Sequence, residues 1–248
     1  MHKKGDRRFP DNYRPVSLLP LFSKVLEKLV YASLLHHCLR GLPSQHGFLR
    51  QRSCASNLAC FVKHSWDSFN VGAQTDAVYT DFSSVFTSAY HRLLLHKLKQ
   101  SFSVTDKAYA WLESYLSDRR QRVVYNGVAS AWTPVKSGVP DGSICGPLLF
   151  ICFTADILSV IKSNCTMHAD DLKLYNRVTC RDDADFSQAD LDRLAQWSET
   201  WKLKLNPQKY FTISYTLKVR PIAFEYHLTG IQLQRHVEAR DLDVILDA

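Results

Sequence analysis

Three aspartates occupy positions from which carboxylates can bind metal ions. The alternation of residues 77–82 predicts a short strand that carries Asp81 at its C-terminal end. Asp170 and Asp171 are adjacent, and residues 165–175 predict two short strands folded back at a turn that holds both. If these strands are neighbours in one sheet, the three carboxylates converge.

The chemistry open to such a group is metal-assisted phosphoryl transfer. Hard divalent cations such as Mg²⁺ take oxygen ligands, commonly one or two carboxylates plus phosphate oxygens of a substrate. Two such ions about 4 Å apart can bind the attacking and leaving oxygens of an in-line displacement. The aspartates alone do not establish this, because an Asp-Asp pair in a turn is more often part of a solvated loop.

Positive charge is concentrated near the N-terminus of an otherwise ordinary composition. The 248-residue chain is 46% hydrophobic, which excludes a disordered or fibrous protein. Its net charge is +7, and residues 1–52 alone hold ten Lys or Arg against three Asp or Glu. Such a field suits nucleic acid or a triphosphate. For the charge taken alone, a solubilising surface is an equally good explanation.

Cysteine spacing and hydropathy bear on location. The seven cysteines form no CxxC pair and no zinc-like spacing, which indicates reduced thiols. Residues 1–10 lack the apolar segment of a signal peptide, and polar residues interrupt the longest apolar stretch, 148–161. We expect a soluble intracellular protein of the nucleus or cytoplasm with no membrane partner. The oligomeric state is not predicted.

The elements that position the aspartates follow from periodicity and turn signals. The patterns predict a helix over 23–39 capped by Ser23 with Leu26 and Leu29 on its core face, a helix after Asp81 that includes Phe86, a helix over 106–116, a hairpin turn at Asn126-Gly127, a long helix over 146–161, a helix over 185–202, a strand over 211–217 and a hairpin around Gly230. This mixed order predicts an α+β fold with helices packed on one face of a sheet.

Ordered motifs along nearly the whole chain resemble those of non-LTR reverse transcriptases. Residues 12–19 with 23–27, and 45–48 with 52–54, resemble the fingers motifs, while 81–86 with 91–94, 138–150, 168–171, 205–209 and 230–246 resemble palm motifs A, B, C and D and the primer-grip region. The resemblance implies polymerase right-hand fingers and palm with an antiparallel palm sheet. It implies one domain over 1–248, mainly fingers at 1–75 and mainly palm at 76–248, with the thumb missing.

The resemblance also implies roles in catalysis. Asp81 and Asp170 match ligands of two metal ions, with Asp171 as a less stringent ligand, and the expected ion is Mg²⁺ with Mn²⁺ as its substitute. The implied partners are an RNA template, a DNA primer and a dNTP. The primer 3′-hydroxyl attacks the α-phosphorus and pyrophosphate leaves. Lys209 matches a lysine suggested to protonate that pyrophosphate, although as an exposed residue it has an equally good explanation without function.

Further matching residues concern substrate and nucleic acid. The resemblance assigns Arg14 and Lys24 to the triphosphate, Phe86 to exclusion of a ribose 2′-hydroxyl, Asp141 and Gly142 to the loop near the incoming nucleotide, Arg119, Arg120 and Arg122 to the nucleic-acid backbone, and Gly230 to the primer-grip region. Surface charge is the alternative for Arg14 and Lys24, and a core aromatic is the alternative for Phe86.

Departures from the family pattern leave two hypotheses open. Asp141 stands in place of the usual Gln, Thr87 in place of a second Asp, His168 in place of an aromatic or Met, and Asp243 in place of Gly. From the motifs present, we also expect neither an endonuclease nor a thumb in this chain. One hypothesis is an RNA-directed DNA polymerase domain. The other is a truncated, non-catalytic remnant that at most binds nucleic acid.

Overall fold

The computed structural model describes residues 2, 5–9, 12–13, 16–39, 42, 44–83, 88–140 and 142–248. The chain forms two compact units. We call them the helical unit, Met1–Gly41 with Ser84–Phe153, and the sheet unit, Leu42–Ser83 with Thr154–Ala248.

Helices and short strands alternate along the chain. The described helices are α1 (Leu21–Cys38), α2 (Cys54–Phe69), α3 (His91–Phe102), α4 (Asp106–Leu116), α5 (Cys145–Thr154), α6 (Ile157–Val160) and α7 (Arg181–Trp201), and a 3-10 turn covers Pro207–Lys209. The strands are β1 (Gln74–Asp81), β2 (Arg120–Gln121), β3 (Val124–Tyr125), β4 (Val128–Ala129), β5 (Thr133–Pro134), β6 (Asn164–His168), β7 (Asp171–Val178), β8 (Phe211–Tyr215), β9 (His227–Leu228), β10 (Ile231–Gln232), β11 (Gln234–Arg235), β12 (Glu238–Asp241) and β13 (Val244–Asp247).

A five-stranded sheet with the order β11-β8-β1-β7-β6 is the centre of the sheet unit. β1 pairs antiparallel with both β7 and β8, and β6 pairs antiparallel with β7. The edge strand β11 instead runs parallel to β8, which corrects the prediction of a wholly antiparallel sheet. The prediction of strands before and after the aspartate turn is confirmed.

Helices cover both faces of this sheet, so the prediction of helices on one face is wrong. Ala77 of β1 lies in one apolar cluster with Phe61 of α2. Asp76 points to the other face, as does its register partner Asn176, which donates a hydrogen bond to Ser187 Oγ of α7 at 3.2 Å. Because β1 is buried along its whole length between two strands, both of its faces need a covering layer.

The α1 helix buries a different side from the one that the sequence predicts. It begins at Leu21 after Pro20, so Ser23 lies inside the first turn and is not the cap. Leu26 and Leu29 are exposed, whereas Glu27 is 1% exposed. The buried side is set by Glu27, whose carboxylate accepts hydrogen bonds from backbone N–H groups at the start of α5.

Other helix boundaries also move for local reasons. The predicted helix over 146–161 is two helices, α5 and α6, with the break at Asp156, whose carboxylate accepts a hydrogen bond from Trp197 Nε1 at 3.0 Å. α7 starts four residues before its predicted start, at Arg181, because the Asp183 carboxylate caps its first turn. The predicted helix after Asp81 that includes Phe86 lies largely outside the described residues, and the next described helix, α3, begins at His91, directly after the extended residue Tyr90, which pairs with Ser137.

The predicted turns are confirmed. Asn126 and Gly127 have φ of +48° and +79° and join β3 to β4, the conformation that an Asn-Gly hairpin turn requires. The helix over 106–116 is α4, with Leu112 and Leu116 buried. Over the part of the chain that the structure describes, no helix is both long and apolar enough to cross a bilayer.

Candidate active site

The ends of β1 and β7 bring the aspartates together. Asp81, the last residue of β1, and Asp171, the first residue of β7, are direct partners in the antiparallel register. Asp171 also pairs with His168, the last residue of β6, so Asp170 lies with Ala169 in a two-residue turn. The predicted strands and their neighbourhood in one sheet are confirmed, while the roles of the aspartates stay a prediction.

The three carboxylates repel one another. Desolvation, followed by the charge of Asp81, raises the pKa of Asp170. Desolvation, followed by the charges of Asp170 and Asp81, raises the pKa of Asp171 to about 6. A raised carboxyl pKa means that the ionised form is disfavoured. A cation bound among these side chains would relieve that repulsion.

Lys209 supplies one positive charge to this group. Its ammonium forms an ion pair with Asp81 Oδ2, while the lysine side chain remains 58% exposed. Desolvation alone would lower the pKa of Lys209, but the hydrogen bond and charge of Asp81 raise it. The preceding loop runs beside the end of β1, because Asn206 N donates to Asp81 O and Ser83 N donates to Lys204 O, both at 2.8 Å.

The donor set suits a divalent metal ion, although the ligands are not preassembled. Within the described ranges, no group of three His, Cys, Asp or Glu side chains is arranged to hold a metal. Asp81 Oδ1, however, is buried and accepts no hydrogen bond from the described residues. A buried oxygen without a hydrogen bond lowers the free energy of unfolding by about 1–3 kcal/mol. A carboxylate oxygen is also the kind of ligand that Mg²⁺ prefers. The carboxylates therefore fit a divalent ion that competes with Lys209.

Gln45 and Gly47 belong to a fingers-like motif without a predicted role, and both contact the turn that carries Asp170. Gln45 is 3% exposed, its Oε1 accepts from Ala169 N at 3.0 Å and its Nε2 donates to Ala169 O at 3.3 Å. Gln45 and Ala169 are 124 residues apart in sequence. A local sequence pattern cannot predict a contact between residues so far apart.

Some of the basic residues near the N-terminus already form an ion pair or hydrogen bonds within the protein. Arg8 forms an ion pair with Asp6 at 2.6 Å. Arg52 donates hydrogen bonds to Leu42 O at 2.9 Å and to Gln45 O at 2.6 Å. Arg52 is half-buried and stabilises the backbone around Gln45, while its charge still adds to the positive field of residues 1–52.

Two predicted nucleotide-binding residues lie in the helical unit. Lys24 is half-buried in α1. Gly142 has a φ of +96°, and a Cβ there would lie 3.3 Å from Ser17 O, so the position disfavours any other residue. Arg14, Phe86 and Asp141 lie outside the described residues, as does Thr87.

The three predicted nucleic-acid arginines follow α4 in the helical unit. Arg119 lies over the Tyr115 ring at 5.2 Å, and Arg122 lies over the Trp132 ring at 4.7 Å. Arg120 is exposed in β2. Stacking on rings leaves guanidinium N–H groups able to donate to phosphates. In the sheet unit, Gly230 has a φ of +77° and forms the predicted hairpin turn between β9 and β10.

Proteins similar in sequence are polymerases of mobile elements. The chain is 34% identical over 262 residues to the probable RNA-directed DNA polymerase from transposon BS of Drosophila melanogaster, covering 100% of this chain and 29% of the relative. It is 30% identical over 257 residues to that from transposon X-element of the same species, covering 100% and 28%. With the RNA-directed DNA polymerase from mobile element jockey of Drosophila funebris it shares 28% over 249 residues, covering 96% and 27%. The chain thus spans less than a third of these relatives' lengths.

Solved structures share the fold at low sequence identity. Apo telomerase from Candida tropicalis, truncated from its C-terminal domain, superposes with a TM-score of 0.59 at 11% identity, covering 91% of this chain and 45% of that chain. Telomerase from Candida albicans in complex with a fragment of telomeric RNA gives a TM-score of 0.55 at 12% identity, covering 91% and 39%. The family described as reverse transcriptase (RNA-dependent DNA polymerase) matches residues 1–232. The chain therefore belongs to the reverse transcriptase family, and its relatives are of the non-LTR retrotransposon type.

Proposed function

We propose that this chain is the polymerising part of an RNA-directed DNA polymerase, which extends a DNA primer on an RNA template with dNTPs. The observation that carries the proposal is the pairing of Asp81 with Asp171, with Asp170 in the adjoining turn. Family membership and the printed names of the relatives support it. A telomerase of the same fold is described in complex with RNA, which supports an RNA partner.

We assign Asp81 and Asp170 as ligands of two divalent ions, with Asp171 as a less stringent ligand. The ions would be Mg²⁺, with Mn²⁺ as its substitute. When bound, they would activate the primer 3′-hydroxyl and neutralise charge on the triphosphate. The unpartnered Oδ1 of Asp81 and the repulsion among the carboxylates support this assignment.

Lys209 is proposed as the proton donor to the leaving pyrophosphate. Asp81 raises its pKa, so the ammonium stays protonated beside the aspartates. Its side chain is 58% exposed, which leaves it accessible to a substrate oxygen. An ammonium in that position can transfer a proton from Nζ as pyrophosphate departs.

The remaining assignments follow the family motifs. Arg14 and Lys24 bind the triphosphate, Phe86 excludes a ribose 2′-hydroxyl, and Asp141 and Gly142 form the loop near the incoming nucleotide. Arg119, Arg120 and Arg122 bind nucleic-acid phosphates without sequence readout, and Gly230 belongs to the primer-grip region. Residues 1–75 are mainly fingers and residues 76–248 mainly palm. The non-catalytic remnant is not favoured, because the three carboxylates are present at one end of one sheet.

Primer extension tests the proposal. The purified chain is incubated with an RNA template, a DNA primer, dNTPs and Mg²⁺ or Mn²⁺, and extension is followed on a denaturing gel. We expect extension by the unaltered chain and none by Asp81→Asn or Asp170→Asn, because each change removes an anionic ligand. Circular dichroism shows whether each variant keeps its fold.

A matched control is Asp185→Asn, since Asp185 is an exposed aspartate on α7. It should extend primers at the rate of the unaltered chain. Undiminished extension by both Asp81→Asn and Asp170→Asn would place the active site elsewhere. If the unaltered chain extends no primer with either metal, the result would favour the hypothesis of a non-catalytic remnant.

A further inference from the structure

A short segment before α2 lies along the free edge of the sheet, beside the strand that leads into the aspartate turn. β6 is an edge strand of the five-stranded sheet. Gln45 bridges parallel to Met167 of β6. Met167 N donates to Ser44 O at 3.0 Å, and His46 N donates to Met167 O at 2.8 Å. The backbone of residues 44–46 therefore continues the sheet at the point where the turn begins.

The Gln45 side chain extends this pairing into the turn itself. Its Oε1 accepts hydrogen bonds from both Gly47 N, at 2.7 Å, and Ala169 N, at 3.0 Å. Its Nε2 donates to Ala169 O at 3.3 Å. One amide thus satisfies both backbone polar groups of the residue that immediately precedes Asp170. A side chain that makes these bonds while 3% exposed has little freedom to move.

Ala169 needs such support, because its conformation is one that alanine rarely adopts. Its φ is +58°, in the left-handed region that glycine prefers. Gly47 lies directly against it, and a Cβ at Gly47 would overlap Ala169 N. Backbone in sparsely populated conformations persists where surrounding contacts determine it, and it is common at functional sites.

We propose that Gln45 is a positioning residue for the metal-binding turn: with Gly47 closing on Ala169, it holds the Asp170 carboxylate where a divalent ion is bound. This proposal rests on the proposed function of Asp170. The proposal assigns the motif of residues 45–48 a role in positioning a metal ligand. Residues that orient metal ligands in this way change metal affinity about 10–100-fold when they are replaced.

The chain offers a matched control for a purely structural role. Gln74 is also buried, and its amide also satisfies both backbone groups of one residue, since Gln74 Oε1 accepts from Ile222 N at 2.7 Å and Nε2 donates to Ile222 O at 3.0 Å. Gln74 begins β1, whereas Asp81 ends it. Replacing either glutamine by alanine removes an amide and leaves both backbone groups of one residue without that partner; Gln74→Ala also removes a donor to the Asp76 carboxylate, and Gln45→Ala also removes the acceptor of Gly47 N.

The test is Mn²⁺ binding measured by electron paramagnetic resonance, without substrate or turnover, on the unaltered chain, Gln45→Ala, Gln74→Ala and Asp170→Asn. We expect Gln45→Ala to weaken Mn²⁺ binding by roughly tenfold and Gln74→Ala to leave it within about twofold, although both lower the melting temperature. If Gln45→Ala does not fold, Gln45→Asn, which keeps the amide but shortens its reach, takes its place, and Gly47→Ala is an independent second variant.

The outcomes separate this proposal from the one on which it rests. Weakening by Gln45→Ala, or by its substitute, and not by Gln74→Ala supports a positioning role. Equal Mn²⁺ affinity in the Gln45 and Gln74 variants would overturn that role while leaving the metal site intact. Binding that is the same in the unaltered chain and Asp170→Asn would overturn both the metal site and the positioning role.

Discussion

Asp81 and Asp171 are register partners at the end of an antiparallel strand pair, so two carboxylates stand on adjacent strands at directly opposed positions. Like charges directly opposite each other destabilise a sheet. The chain nevertheless places a third carboxylate, Asp170, in the adjoining turn. A fold selected for stability alone would avoid this arrangement, and its presence supports a cation-binding function at this end of the sheet.

Replacing Asp171 should stabilise the metal-free protein in a pH-dependent way. An aspartate has a pKa of about 3.9 when unfolded, whereas that of Asp171 is about 6 in the fold. Between these values the folded state binds more protons, so this group's contribution to stability falls as pH rises and is fully unfavourable above about pH 6. We expect Asp171→Asn to raise the melting temperature at pH 7.5 in EDTA, with a gain that shrinks towards pH 4. Asp185→Asn should show no such trend, and an Asp171→Asn gain independent of pH would contradict this account.

Removing the Glu27 carboxylate should destabilise the helical unit. Its Oε2 accepts from Ile144 N at 2.7 Å and from Cys145 N at 3.2 Å. Glu27→Ala leaves these donors unsatisfied, so the free energy of unfolding measured by urea denaturation should fall by about 2–3 kcal/mol. Glu27→Gln keeps an acceptor oxygen and should lose about 1 kcal/mol. Glu113→Ala, an exposed change on α4, should stay within about 0.5 kcal/mol. If Glu27→Gln and Glu27→Ala lower the free energy of unfolding equally, the charge of Glu27 and not its hydrogen bonding would be the source of the stabilisation.

The β12–β13 turn contains the strain that the missing glycine predicts. Leu242 and Asp243 have φ of +48° and +68°. Asp243→Gly should stabilise the protein by on the order of 1 kcal/mol, less a small loss from the exposed pair with Arg240. Differential scanning calorimetry should show a rise of about 2 °C. The reciprocal control, Gly230→Ala at a φ of +77° in open space, should lower the melting temperature. A lower melting temperature for Asp243→Gly would contradict the strain argument.

Binding to an RNA–DNA duplex should depend steeply on salt. Fluorescence anisotropy across a KCl series measures the slope of log affinity against log salt. Replacing Arg119, Arg120 and Arg122 together by Ala should reduce the magnitude of that slope by about 2–3, because each phosphate contact contributes about 0.9. A triple change of the exposed cations Lys63, Arg181 and Arg220 in the sheet unit is the control. Binding that is insensitive to salt would exclude phosphate contacts as the source of affinity.

Asp141→Gln should lower the KM for dNTP. A carboxylate about 5 Å from a triphosphate charge repels it by roughly 3 kcal/mol at an effective dielectric near 20. Partial neutralisation by bound cations reduces the penalty to about 1–2 kcal/mol, or about ten- to thirtyfold in affinity. Steady-state extension kinetics should show the lower KM of Asp141→Gln, and ribonucleotides should still be excluded, because the residue proposed for that role, Phe86, is unchanged. An unchanged KM, from a measurable baseline, would contradict the argument that the Asp141 carboxylate repels the triphosphate.

The family, the mixed α and β fold and much of the local structure could be predicted from residue types and their spacing. The Asn126-Gly127 turn could be predicted because left-handed backbone favours those residues, and α4 could be predicted because its apolar residues recur every three or four positions. The strands that end at Asp81 and begin at Asp171 could be placed in the same way. Such features depend on residues close together in the chain, whose chemistry the sequence displays directly.

The contacts between distant parts of the chain could not be predicted in this way. Glu27 determines the buried side of α1 through hydrogen bonds with residues 117 and 118 positions away. As a result, the leucines that the helical pattern predicts to be buried are exposed. Gln45 holds the turn at Ala169 across 124 residues. Contacts between residues so far apart leave no period or turn signal, because they depend on how separate elements pack against one another.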